Sequence, residues 1–125
     1  MLFANLASAQ TANKATKPVY QKVYWFATGI EQKGSDLLLD NPNVVSEIIP
    51  IACELPNAYN IGTIFEAFFN DNYAKRDGAT GVMVYPFLFA TLEEAQTKRN
   101  AIIDRIKASE NSKICDVKKF EYQCN

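Results

Sequence analysis

Nine consecutive uncharged residues, Val82 to Ala90, most restrict what this chain can fold into. The run VMVYPFLFA is β-branched and aromatic, which suits a strand on a pleated, buried surface. Both of its parities are apolar: Val82, Val84 and Leu88 on one, Met83, Tyr85, Phe87 and Phe89 on the other. A strand of an antiparallel or mixed sheet that meets water alternates apolar with polar residues. This strand does not, so both of its faces need a cover. The first strand, about Val19 to Thr28, repeats the pattern, with Val23, Trp25 and Ala27 against Tyr24 and Phe26.

Thr91 ends the apolar run and opens a helix over residues 92–108. Its hydroxyl can accept from the Glu94 N–H while the Glu94 carboxylate reaches back to the Thr91 N–H, a capping box. Glu93 and Glu94 also set negative charge at the positive end of the helix dipole. Leu92, Ala95, Ile102, Ile103 and Ile106 share one face, with Arg99 lying over apolar surface by its stem. An earlier helix is predicted from Ile61 to Ala74, capped at Asn60 and closed by Asp77-Gly78, with Ile61, Ile64, Phe65, Phe68 and Phe69 on its apolar face. A second strand, Val44 to Cys53, precedes it. A fourth, Ile114 to Tyr122, closes the chain with one bulge at Lys118-Lys119 that sets Cys115, Val117, Phe120, Tyr122 and Cys124 on one face. Leu37-Leu38-Leu39 is an apolar island in the 29–43 loop, a short strand extension or a cap on the core.

The element order is thus β-β-α-β-α-β, an α+β domain over residues 19–125. Pro50 and Pro86 cannot donate to a ladder and belong at sheet edges or bulges. Placing the second and third strands at the two edges yields one four-stranded mixed sheet of order 2-1-4-3. Both helices are then expected on one face, a loosely ferredoxin-like arrangement.

The stretch VYPFLFATLEEAQTKRNAII, residues 84–103, resembles the second half of a SPOR peptidoglycan-binding repeat, in which a strand ending in an aromatic leads through T-x-E-E-A to a helix. The resemblance covers about a fifth of the chain. The first half departs from it, since two strands precede the first helix, and it assigns no site residue.

Thirteen basic residues against fourteen acidic ones leave no net field to attract nucleic acid. There is no histidine, which removes the commonest general base and metal ligand. Three cysteines, none in a CxxC pair, are too few for a structural zinc site. Asp36, Asp40, Asn41 and Asn43 lack calcium-loop spacing, because Pro42 and Val44 occupy ligand places. No catalytic residue, cofactor or metal is therefore assigned. One disulfide among Cys53, Cys115 and Cys124 is expected if the protein is exported, its pairing open.

Residues 2–9, LFANLASA, end in a fit to a signal-peptidase site and resemble the last half of a bacterial secretory signal peptide. Residues 1–18 are read as that remnant or as a flexible N-terminal arm. Export to the periplasm or cell surface follows from the first reading, a cytoplasmic location from the second. No apolar run is long enough to span a membrane.

The residues point to a binding or assembly module of the envelope that engages another protein chain, a second copy or an envelope partner. Trp25, Tyr85, Phe87 and Phe89 are the candidate surface, on the sheet face that the two helices leave open. The alternatives are a small envelope enzyme with a site assembled from distant cysteine and carboxylate residues, or a purely structural subunit.

Overall fold

The computed structural model of the chain describes residues 21–39, 41–74, 78–109 and 114–124. The expected signal remnant or arm, residues 1–18, lies outside the described residues. The elements run β1 Gln21–Lys33, β2 Asp36–Leu37, β3 Val44–Ser46, β4 Ile49–Cys53, α1 Ala58–Asn72, β5 Gly81–Phe89, α2 Leu92–Lys107 and β6 Cys115–Val117.

β1 is the spine of the sheet. One edge pairs antiparallel with β5 along its length, from Tyr24 opposite Phe89 to Gln32 opposite Gly81. The other edge pairs antiparallel with β4, β3 and β2 in succession, and β6 adds parallel to the outside of β3. The sheet is therefore mixed, as expected, but it holds six strands among the described residues rather than four. The order 2-1-4-3 is also corrected. The first and last strands are not neighbours, since β3 lies between them.

Two local features explain the difference. β1 runs on past Gly29 to Lys33 and turns back through Gly34-Ser35, with Gly34 at φ 65° and Lys33 opposite Asp36. That two-residue hairpin, with glycine in its first central place, forms β2 and takes Leu37, the first residue of the apolar island, into the sheet. The expected second strand is broken at Glu47-Ile48 into β3 and β4. Pro50 sits in β4, beyond the reach of β6, where β1 is the ladder partner on one side only. The proline rule holds there residue by residue; applied to the whole strand it misplaces the edge. Pro86, in β5, does lie on an edge strand.

The helices cover opposite faces, which corrects the ferredoxin-like expectation. α1 packs Ile61, Phe65 and Phe69 against Val23, Trp25, Ala27, Ile51 and Val82. α2 packs Ala95, Ile102 and Ile106 against Phe26 and Val45. Trp25 and Phe26 are adjacent, so these are the two faces of one strand. The connection β4-α1-β5 crosses β1 in one direction and β5-α2-β6 crosses back. Two crossovers of the same hand that run in opposite directions must lie on opposite faces.

At α2 the expected Thr91 cap forms, with the Glu94 carboxylate returning to the Thr91 hydroxyl rather than to its N–H, and at α1 the cap shifts by one turn. The Glu94 N–H donates to Thr91 Oγ1 at 3.1 Å, and that hydroxyl lies 3.1 Å from Glu94 Oε1. α1 starts at Ala58, capped by Asn57, whose Oδ1 accepts from the N–H groups of Tyr59 and Asn60. It ends at Asn72; Asp77 of the predicted Asp77-Gly78 stop lies outside the described residues. Gly78 takes a positive φ of 74°, and the Ala79 N–H donates to the Ala74 carbonyl.

The ladder of β6 stops at Val117, and Lys118 to Cys124 continue without regular structure. Lys119 takes a positive φ of 69° where a bulge was expected. The consequence for the faces is the expected one: Cys115, Val117, Phe120 and Tyr122 all belong to the core beneath α1.

Candidate functional site

On the α2 side of the sheet, β1 and β5 oppose their side chains in rows: Tyr24 with Phe89, Phe26 with Phe87, Thr28 with Tyr85, Ile30 with Met83. Phe26 is fully buried, and the rings of Phe87 and Phe89 stack beside it at 5.0 and 6.1 Å. α2 covers the Phe26 end of this ladder and leaves its outer margin open. Phe87, Phe89 and Tyr24 are half-buried, while Met83 and Tyr85 are 38% and 40% exposed. The Tyr85 hydroxyl donates to Met83 Sδ at 3.0 Å, which holds the two as one patch. Lys98 places its ammonium 5.7 Å from the Phe87 ring, and Lys22 lies 6.0 Å from Tyr24. Each lysine caps an aromatic face that would otherwise meet water.

Of the four residues read from the sequence as a surface, Tyr85 is exposed and Phe87 and Phe89 are partly so. Trp25 is not on the surface. It is fully buried beneath α1, its Nε1–H donating to the Ala58 carbonyl at 3.1 Å and its ring against Phe65 and Phe120. Strand parity separates Trp25 from the others; it lies on the face that α1 takes. Met83 belongs to the patch instead, and its shared parity with Tyr85 was the signal for it.

Cys53 and Cys124 are joined in a disulfide, their Cα atoms 5.8 Å apart. Cys53 is buried on β4 and Cys124 is exposed, while Cys115 sits half-buried on β6. The bond lines an open cleft of about 570 Å³ with Glu54, Leu55, Asn57, Asn60 and Tyr122. A bridged Cys53 is not available as a thiol nucleophile.

A second polar hollow, about 490 Å³, is organised by Arg99. The Arg99 Nε–H donates to the Ser46 carbonyl at 2.8 Å, and Nη2 meets Asp116 Oδ1 at 3.5 Å. The buried Ser46 hydroxyl accepts from the Ala27 N–H at 2.8 Å and donates to the Glu47 carbonyl. These bonds satisfy backbone groups where the strand breaks, so the arrangement has a structural use. Asn43 is likewise structural: its N–H donates to the Gly29 carbonyl, its carbonyl accepts from Cys115, and its side-chain amide donates to Glu31 Oε1 at 3.1 Å. Among the described residues no group of three acidic, cysteine or histidine side chains converges as metal ligands. No helix among them is long and apolar enough to cross a membrane.

No protein-family model, no curated protein and no solved structure matches the chain.

Proposed function

We propose that the protein is an exported binding or assembly module that engages another protein chain through the open margin of β5. The observation that carries this is the Met83–Tyr85 patch, exposed and continuous with the half-buried rings of Phe87 and Phe89. Aromatic and methionine side chains are enriched in interfaces, and tyrosine is enriched among hot spots. The surrounding lysines, Lys22 and Lys98, supply a polar rim. The Cys53–Cys124 bond supports the exported location, because disulfides persist in oxidising compartments. The apolar run at residues 2–9 and the small residues at Ala7-Ser8-Ala9 support it from the sequence side.

The test is sedimentation of the full chain, and capture of its complexes from the envelope, each run against Tyr85→Ser. The reading expects an assembly, with itself or with a second protein, that the variant loses. A wild-type chain that sediments as a monomer and captures nothing the variant fails to capture would overturn it.

A further inference from the structure

We propose that Lys118–Cys124 is a redox-released strap, and that the Cys53–Cys124 bond is a reversible modification site attacked by a dithiol. This stands independently of the β5 surface, because it concerns the opposite face of the sheet.

The strap has little else to hold it. Its seven residues form no ladder. Phe120 is its main anchor, 5% exposed with its ring 5.1 to 5.5 Å from those of Phe65, Trp25 and Phe68, and Tyr122 packs half-buried against the same core. Besides that plug, the Tyr73 hydroxyl bonds the Lys118 carbonyl and N–H, and the Lys119 N–H donates to Glu47 Oε1 at 3.0 Å. These hydrogen bonds lie at the root of the strap. Beyond Tyr122 the disulfide pins it to β4. Lys119 is held at φ 69°, a conformation a side chain-bearing residue keeps only when its surroundings impose it. Ordering seven irregular residues costs chain entropy at each of them, and a cross-link offsets that cost by restricting the detached state.

The bond is also reachable. Cys124 is exposed, and the open cleft beside it admits a reagent. A thiolate of the dithiol attacks the Cys124 sulfur and forms a mixed disulfide, and Cys53 leaves as a thiolate that takes up a proton. The second thiol of the dithiol then displaces the Cys124 sulfur and closes the reagent's own disulfide. Two electrons pass to the protein, which ends with two thiols. The freed strap withdraws Phe120 and opens the apolar floor formed by Trp25, Phe65 and Phe68.

The experiment uses dithiothreitol on the full folded chain. Trp25 is the one tryptophan, so its emission reports the floor directly. Reduction should shift that emission to longer wavelength and make it quenchable by iodide. Tryptic cleavage after Lys118 and Lys119 should quicken by about tenfold or more, because cleavage follows the population of the open form. Amide protection in β1 and β5 should stay as it was. Cys53→Ser/Cys124→Ser should match the reduced protein without any dithiol. Two results overturn the proposal: reduction verified by thiol counting that leaves Trp25 and the cleavage rate unchanged, or loss of β1 and β5 protection along with the strap, which would make the bond a staple of the whole domain.

Discussion

Phe26 on β1 and Phe87 on β5 stand directly opposite each other, their rings 5.0 Å apart and 16° from parallel. Phe26 is fully buried under α2, and Phe87 is the half-buried edge of the same stack. The pair therefore joins the core to the open margin of the sheet. Phe26→Ala should cost about 3–5 kcal/mol, the range for emptying a fully packed aromatic site. Phe87→Ala should cost about 1–2 kcal/mol, since part of its ring already meets water. Urea denaturation of both variants checks the ordering; equal losses would mean that α2 covers the two rings alike.

Tyr85→Ser and Met83→Ser separate binding from stability. Both side chains are exposed, so each variant should unfold within about 0.5 kcal/mol of the wild type. Association should nonetheless fall. Pairing Tyr85→Ser with Phe87→Ser would confuse the two effects, because Phe87 also packs on Phe26.

Gly29 is in mid-strand for a steric reason. A Cβ there would lie 2.7 Å from Val82 Cγ2 and 2.9 Å from the Met83 carbonyl oxygen. The backbone atom cannot give way without moving the β1–β5 ladder. Gly29→Ala should thus destabilise by about 1–3 kcal/mol despite adding a residue that strands tolerate better. Thermal unfolding is the measurement, with Gly34→Ala, where the added atom meets only open space but φ is positive, as the contrasting backbone case.

Ser46 and Arg99 hold the break between β3 and β4. Ser46→Ala leaves the Ala27 N–H without the hydroxyl that now accepts from it, in a fully buried place, at a cost of about 1–3 kcal/mol. Arg99→Lys should recover only part of what Arg99→Ala loses. A lysine has no planar fork with which to meet the Ser46 carbonyl and Asp116 together. Chemical denaturation of the three variants tests this, and full rescue by lysine would show that charge alone matters there.

Much of the local structure was legible in the residues. The Thr91 cap, the strand from Val82, the Cys115-to-Tyr122 face and the need for a cover on both sides of β1 and β5 all follow from side-chain size, polarity and spacing over a few positions. The candidate surface was legible only in part: parity marks Tyr85, Phe87 and Phe89 as one face, but the register that sets Trp25 opposite Leu88, and so on the other face, is not local, and nothing local says which helix takes which face. That was decided by two crossovers that run in opposite directions across β1. The strand order likewise depended on the break at Glu47-Ile48, which confines β6 to β3 and leaves Pro50 with a single ladder partner. The burial of Phe120 and the choice of Cys124 as partner to Cys53 required residues 71 positions apart to meet. Propensity and periodicity act over one turn or one strand. Which distant segments pair is settled by closing the whole core at once, and only the tertiary structure contains that.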